Sequence, residues 1–298
     1  MNSRTFLLIF ALSCLVDGAI LGQQKTGLVK RDVFDLNQCF TYRKGFRIEL
    51  KAGDIESTDT VQFKDDCLKA CLKALLNDGF ECRSLMHMPR ENDCVLTTVE
   101  GNSTNIVRLS EEKGAAPINY YENECAKLPL PGLYCSQPVD NVVSGGGVVE
   151  AKLQGYRGQG LVQMVQKKGT NPRIMVILNG VQENNNFDIV YIEEEVKDCY
   201  KLTQQQKSSA QILVTVDSDT NGMGVQPWTE IFFDIFNDDV LGKTIAVIDA
   251  KTKQVFDCGK IQVRGNVADF EKARNNGQTL APAALLLAIA FMILQCFI

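Results

Sequence analysis

The sequence predicts an extracellular chain with two folded domains: an α+β domain with one helix on a small sheet, then an all-β sandwich or barrel. Two observations support this prediction. Six cysteines and one amphipathic helical segment fall in the first half, whereas short alternating or β-branched runs separated by turn residues fill the second half. An apolar segment lies near each end of the 298-residue chain.

The N-terminal apolar segment has the features of a secretory signal. Phe6–Val16 follows the basic residue Arg4 and precedes several small residues. The run is too short to span a bilayer. We therefore expect residues 1–22 to be a signal peptide that directs the chain into the secretory pathway.

The C-terminal apolar segment has the features of a glycolipid-anchor signal. The small residues Asn275, Asn276 and Gly277 precede a spacer and the apolar run Leu285–Ile298. We expect lipid attachment at Asn275 or Asn276, with residues 278–298 as the anchor signal. The mature protein would then lie on the extracellular face of the plasma membrane. The alternative is a short transmembrane anchor.

Composition fits that compartment. Nine of the 11 cysteines lie between the two apolar segments, and disulfides persist in oxidising, secreted surroundings. The formal charge of −5 gives no basic footprint, so no nucleic-acid partner is expected. The single histidine, His87, has no cysteine or histidine at metal-ligand spacing and is read as a surface or packed residue.

The first domain contains one clear helix. Over Phe63–Asn77, Cys67 and Cys71 fall on one face, and Asp78 with Gly79 ends the segment. Because the two cysteines are one turn apart, each can staple the helix to a different strand. The candidates for these two strands are Glu81–Met88 and Asp93–Thr98, and Phe40–Leu50 is read as a further strand.

Three motifs of this domain resemble those of PAN/apple domains: D-C-L-K-A-C at 66–71, F-E-C-R-S-L at 80–85 and D-C-V-L at 93–96. The resemblance covers residues 39–125 and implies a binding module for an extracellular protein or carbohydrate, without catalytic residues. Six cysteines alone allow 15 pairings. The resemblance implies three of them, namely Cys39–Cys125, Cys67–Cys94 and Cys71–Cys82. The alternative is a stapled spacer without a ligand.

A linker is expected at residues 126–147, where prolines precede the run Ser144–Gly147. Residues 148–264 then read as antiparallel β structure. The candidate strands are Val148–Tyr156, Gly160–Gln166, Arg173–Val181, Phe187–Glu195, Ala210–Asp217, Glu230–Phe236, Lys243–Ala250 and Gln254–Val263. Residues 265–277 are expected to form a stalk.

Three segments of the second domain resemble copper/zinc superoxide dismutases. They are V-L-G-K-T-I-A-V-I-D at 240–249, C-G-K-I at 258–261 and I-L-N-G-V at 177–181. The resemblance covers residues 148–264 and implies a Greek-key sandwich or barrel with a disulfide between Cys199 and Cys258.

The same resemblance shows that the metal-binding residues of that family are missing here. That family binds its metals through several histidines, and this domain has none. Its ligand positions align with Ile189, Tyr191 and Ile248, and its substrate-guiding arginine aligns with Val255. We therefore expect a metal-free pseudoenzyme without a cofactor. The alternative is an extracellular superoxide dismutase-related enzyme with an atypical metal site.

Three further candidates carry expectations. Asn102 begins a glycosylation sequon. Cys135 is left over from the four pairs, so it forms an interchain bond, as in a disulfide-linked dimer, or is a reactive free thiol; alternatively it closes the first domain instead of Cys125. Trp228 is either an exposed partner anchor or a core residue.

One turn resembles a calcium-binding loop, and the sequence as a whole lacks catalytic motifs. Asp217–Gly222 matches half of a calcium loop but lacks the bidentate glutamate, so a polar turn is the preferred interpretation. We find no nucleophile and base set and no nucleotide-binding glycine motif in the sequence. These features together predict a non-catalytic cell-surface binding or adhesion glycoprotein.

Overall fold

A computed structural model describes residues 35–102, 104–108, 117–129, 146–155, 158–237 and 240–275. All of these residues lie within one compact unit. None of the helices in these ranges is both long enough and apolar enough to cross a membrane.

The first domain is a five-stranded antiparallel sheet with one helix, and a separate pair of short strands. The sheet has the order β1-β7-β4-β5-β3, and β2 pairs with β6. Its elements are β1 (Phe40–Arg43), β2 (Phe46–Ile48), β3 (Ser57–Thr60), α1 (Lys64–Asn77), β4 (Ser84–Met88), β5 (Asp93–Thr97), β6 (Ile106–Arg108) and β7 (Asn119–Asn123).

The helix α1 forms where its periodicity predicts. Asp65 and Asp66 lie in its first turn, where the helix dipole favours negative charge. Gly79 follows its end with a φ of +77°, and its N–H donates to the carbonyl of Ala74. The buried face consists of Cys67, Leu68, Cys71, Leu72 and Ala74.

The single strand expected over Phe40–Leu50 is wrong. The chain turns at Gly45, whose φ is +76°, and so divides this segment into β1 and β2. The two halves pair with different strands, β7 and β6. Glycine permits this turn because it adopts positive φ without steric cost.

The rest of the described chain is largely β structure with short helices. Its strands are β8 (Gly146–Gly155), β9 (Gly158–Lys167), β10 (Arg173–Asn179), β11 (Asn186–Ile192), β12 (Gln211–Asp217), β13 (Met223–Glu230), β14 (Thr244–Asp249), β15 (Val255–Lys260) and β16 (Gln262–Val263). Its helices are α2 (Gln204–Ser209) and α3 (Val267–Asn275). We call this part the β region.

Two sheets of the β region enclose one hydrophobic core. One sheet has the order β13-β10-β9-β8-β16 and the other β12-β11-β14-β15. Val162, Val176, Ile189 and Val247 are among the core side chains that the two sheets share. A second cluster covers the outer face of the four-stranded sheet, where Leu202 packs with residues of β11 and β14.

The prediction of a strand at Glu230–Phe236 is wrong. The strand in this part of the chain is β13, which ends at Glu230. Gly222, with a φ of +68°, makes the turn that starts β13. Pro227 lies within β13 and lacks an N–H to donate, which an edge strand tolerates. The register between β10 and β13 shifts at this point, so Pro227 and Trp228 form a bulge.

The expected linker and stalk are both shorter than predicted. Gly146 and Gly147 belong to β8, and a Cβ on Gly147 would lie 2.7 Å from the ring of Phe270. Glycine is therefore required here for close packing. Residues 267–275 form α3, whose Phe270 and Ala273 are buried in the core, so this segment is part of the β region.

Candidate binding surface

The helix α1 is buried on two sides. One side packs on the sheet of its own domain, and the other approaches β9 and β10 of the β region. Leu161 and Ile177 join the same hydrophobic cluster as Leu68 and Cys71. Both faces of the β9–β10 part of the sheet are thus buried, because alternate residues of a strand point to opposite faces.

Three polar contacts accompany this apolar interface between the first domain and the β region. The Nζ of Lys69 lies 2.8 Å from Oδ2 of Asp219. A guanidinium nitrogen of Arg264 lies 2.6 Å from Oε2 of Glu81, and both side chains are largely buried. Charge pairs that are partly shielded from water hold orientation more firmly than exposed ones.

Trp228 provides the third contact, and its role as an anchor for an external partner stays a prediction. Its Nε1–H donates to the carbonyl oxygen of Cys125 over 3.1 Å. Its ring is half-buried and packs against the cluster of the first domain. The bulge in β13 turns this indole toward that domain, so Trp228 contributes to the contact between the first domain and the β region.

Two polar depressions flank Lys69 along α1. The larger, of 460 Å³, is lined by Asp66, Lys69, Lys73 and Asn77 of α1, by Ser57 and Asp59 of β3, and by Asn221 of the β12–β13 turn. We call it the α1 groove. The smaller, of 230 Å³, is lined by Leu36, Lys64, Asp65, Asp219 and Met223 among others. Both depressions are built from the first domain and the β region together.

The Lys69–Asp219 ion pair separates the two depressions, because Lys69 lines both of them and Asp219 lines the smaller one. Burial by itself would raise the pKa of Asp219, but the hydrogen bond from Lys69 and the N–H groups of Met223 and Asn221 outweigh it. The pKa of Asp219 therefore lies below its usual range, and the carboxylate stays charged. The groove thus offers ammonium, carboxylate and amide groups, which suit a polar ligand such as a carbohydrate or an extended peptide.

The four disulfides of the described residues are the pairs that the two resemblances imply. Cys39 is bonded to Cys125, which rules out closure of the first domain by Cys135. Cys67–Cys94 and Cys71–Cys82 fix α1 to β5 and to the segment before β4, respectively. Cys199–Cys258 fixes the segment before α2 to β15. Cys135 lies outside the described residues.

His87 lies on β4 and is 3% exposed. Neither ring nitrogen has a hydrogen-bond partner among the described residues. Burial, followed by the positive charge of Lys64, holds the pKa of His87 below its ordinary value, so the ring is neutral at pH 7.

The positions aligned with metal ligands do not converge. Ile189 and Tyr191 point into the core between the two sheets. Ile248 points to the opposite face, where it packs with Val190 and Ile192. Within the described ranges, no three side chains of the His, Cys, Asp and Glu types are grouped as a metal site. In the turn at Asp217–Gly222, the Asp219 carboxylate accepts from backbone N–H groups and Lys69.

The residues expected to be modified lie at the surface. Asn102 is exposed between β5 and β6, and its Oδ1 accepts from the N–H and the hydroxyl of Thr104. Asn275 is the exposed last residue of α3. Ser103 and Asn276 lie outside the described residues. Glycosylation and lipid attachment stay predictions.

Comparison with known proteins identifies the first domain. The family model of the PAN domain matches residues 39–125, the range that three disulfides staple around α1. Residues 39–125 are a PAN domain. The chain is also 28% identical over 267 residues to the uncharacterized protein C34C12.7 of Caenorhabditis elegans. The aligned region covers 87% of this chain and 88% of that protein. The similarity therefore includes residues outside the PAN domain.

Sequence reasoning missed the contact between the PAN domain and the β region. Lys69, Asp219, Glu81 and Arg264 are far apart along the chain and belong to no local motif. One signal was present: the run Ile174–Leu178 is apolar at every position, which is typical of a strand buried on both faces.

Proposed function

We propose that this protein is a non-catalytic cell-surface binding or adhesion glycoprotein in which the PAN domain is a main contact surface. PAN domains are often involved in protein or carbohydrate binding. The observation that carries the proposal is the α1 groove, a polar depression that the PAN domain shares with the β region. Three disulfides and the buried contact of α1 hold the groove in a fixed shape, which lowers the entropy cost of binding.

We propose that the β region is a scaffold related to copper/zinc superoxide dismutases and free of metal. Support comes from its motifs at 240–249 and 258–261 and from aliphatic residues at the aligned ligand positions. Val190 and Ile192, which share a face with Ile248, are aliphatic as well. A scaffold braces the PAN domain through its sheet and requires no chemistry of its own.

We propose that the chain enters the secretory pathway, is glycosylated at Asn102 and is held at the outer face of the plasma membrane by a glycolipid. The segments 1–22 and 275–298 support this location through their composition. Tethering places many copies at one surface, so weak individual contacts add up to avidity. A bond between two Cys135 residues would double the valency, and non-reducing electrophoresis of Cys135→Ser would then show loss of the dimer.

The binding proposal is tested with the whole ectodomain, residues 23–275, as a soluble multimer. The multimer is applied to intact cells and to a glycan array. Lys73→Glu reverses a charge in the α1 groove and should reduce binding to any cell or glycan that the native multimer labels. Lys251→Glu, an exposed residue in the β14–β15 turn, is the matched control and should leave binding unchanged. If no surface is labelled, or both variants bind like the native chain, the groove is not the contact surface.

The scaffold proposal is tested by metal analysis of the same ectodomain after dialysis. We expect neither copper nor zinc at stoichiometric level and no superoxide dismutation. One equivalent of copper together with activity would establish the alternative enzyme.

The anchor proposal is tested on cells that express the full chain. Phosphatidylinositol-specific phospholipase C should release the protein into the medium. A protein that stays with the membrane and retains its C-terminal tail by mass spectrometry has a transmembrane anchor instead.

A further inference from the structure

One end of the β region gathers the last turn of α3, the β9–β10 turn and the segment after β13. The Nζ of Lys168 donates to the carbonyl of Arg274 over 2.8 Å. The N–H of Ile231 donates to the carbonyl of Pro172, and that of Ile235 to Oε1 of Gln166. We call this end, formed by residues 166–172, 231–237 and 271–275, the C-terminal pole.

The helix α3 is held firmly against this pole. Phe270 is 1% exposed, and its ring centroid lies 5.4 Å from that of Phe236. Gly147 of β8 packs against both rings. Since a residue of extended chain reaches only about 3.5 Å, a lipid attached at Asn275 or Asn276 would hold the C-terminal pole beside the bilayer without a stalk.

Two large apolar side chains are exposed at this end of the β region, one within the pole and one beside it. Phe232 is 87% exposed and Ile212, near the start of β12, is 56% exposed. Ile212 follows Gln211, whose Nε2 donates to the carbonyl of Phe232 over 2.9 Å, so the backbones at the two positions lie near one another. Single exposed apolar residues are ordinary on protein surfaces. Two together at the end where the chain is to be lipidated indicate a surface that contacts lipid.

The charges around the pole decide which lipid it suits. The pole carries the basic residues Lys167, Lys168, Lys272 and Arg274 and the acidic residues Asp234 and Glu271. Glu193, Asp234 and Lys243 line a cavity beside Phe232. Both signs are present, so the pole has a cation for the phosphate and an anion for the ammonium of a lipid headgroup. It suits the zwitterionic phosphocholine headgroup, which carries one charge of each sign.

We propose that the C-terminal pole rests on the zwitterionic surface of the membrane and that Phe232 inserts at its interface. This inference rests on the proposed lipid anchor. It orients the β region with the β9–β10 turn toward the membrane. The β12–β13 turn, with Asp219 and the α1 groove, lies at the opposite end of the strands, because Asn179 and Met223 pair there. The α1 groove therefore faces away from the bilayer.

Tryptophan fluorescence tests the orientation. The chain contains one tryptophan, Trp228, which packs against the PAN domain. Full-length chain is reconstituted into phosphatidylcholine vesicles with or without brominated acyl chains. The emission of Trp228 in the native chain is recorded in both kinds of vesicle and subtracted, and in Phe232→Trp brominated lipid should quench most of the added emission.

A matched variant separates orientation from general adsorption. Phe63 is 62% exposed and caps the start of α1, next to Lys64, which lines the same cavity as Asp219. The added emission of Phe63→Trp should therefore not be quenched. Equal quenching of both variants, or no quenching of Phe232→Trp, overturns the proposed orientation.

A chemical tether distinguishes this inference from the anchor itself. Flotation of the native chain with vesicles reports the anchor. Ectodomain ending at residue 275 and carrying Cys135→Ser and Asn275→Cys is coupled to a maleimide lipid, and the two tryptophan variants are compared again. If the native chain does not float but the tethered Phe232→Trp is quenched, only the proposed anchor is refuted. If the tethered Phe232→Trp is not quenched, the contact of the C-terminal pole with the membrane is refuted.

Discussion

Replacing Cys199 or Cys258 by serine should cost the β region most of the stability that one native disulfide supplies. The two residues are separated by 59 positions, and the loop-entropy relation for this length gives about 4 kcal/mol at 25 °C. The bond holds the segment around Leu202 over the outer face of the four-stranded sheet. Its loss should also uncover the aliphatic side chains Val190, Ile192 and Ile248 to water.

Native-state hydrogen exchange measures this loss where it occurs. The free energy of opening of amides in β11 and β14 should fall by about 4 kcal/mol in each single variant, because either substitution breaks the same bond. The segment around α2 should exchange fastest. A fluorescent dye that binds apolar surface should also bind the variants more than the native ectodomain.

The double variant, with both cysteines replaced, is the internal control. It should be no less stable than either single variant, since no second bond remains to be lost. Single variants that differ clearly from each other, a loss well below the typical range of about 2–4 kcal/mol, or peptide mapping that links Cys199 to Cys135 would each refute this reasoning.

Three further predictions concern packing and protonation. The pKa of His87 is lowered in the fold, so the unfolded chain takes up a proton on this ring more readily than the folded chain does. The contribution of His87 to the free energy of unfolding should therefore be complete above about pH 6.5 and should decline below it, by at most about 1.4 kcal/mol per pH unit. Denaturant unfolding of His87→Leu should lack this decline. Gly147→Ala places a Cβ 2.7 Å from Phe270 and should cost about 1–3 kcal/mol in thermal or denaturant unfolding, whereas Gly53→Ala, with nothing within 4 Å, should cost far less. Trp228→Phe removes the hydrogen bond to Cys125 and should lower the free energy of unfolding by about 1 kcal/mol. The loss should be measurable as faster hydrogen exchange at the contact between the PAN domain and the β region. Unchanged exchange there would contradict the contact.

Elements set by short-range pattern were predictable. The helix α1 follows from apolar spacing, with Gly79 at its end, and starts one residue after the predicted Phe63. The motifs around Cys67, Cys82 and Cys94 carried the PAN resemblance. Such features depend on residues within a few turns of one another, so the sequence displays them directly.

The remaining features depend on residues that meet only in the folded chain. Whether Gly147 is a linker or a packed strand residue depends on Phe270, and whether residues 267–275 form a stalk or a helix depends on the core that receives that ring. The direction of Trp228 depends on a bulge against β10. The α1 groove exists because Lys69 and Lys73 of α1 and Asn221 of the β12–β13 turn, which are far apart along the chain, line one depression. The sequence by itself therefore determined the kinds of elements and the PAN motifs, while tertiary packing decided the groove and the pole, because only packing brings such distant side chains together.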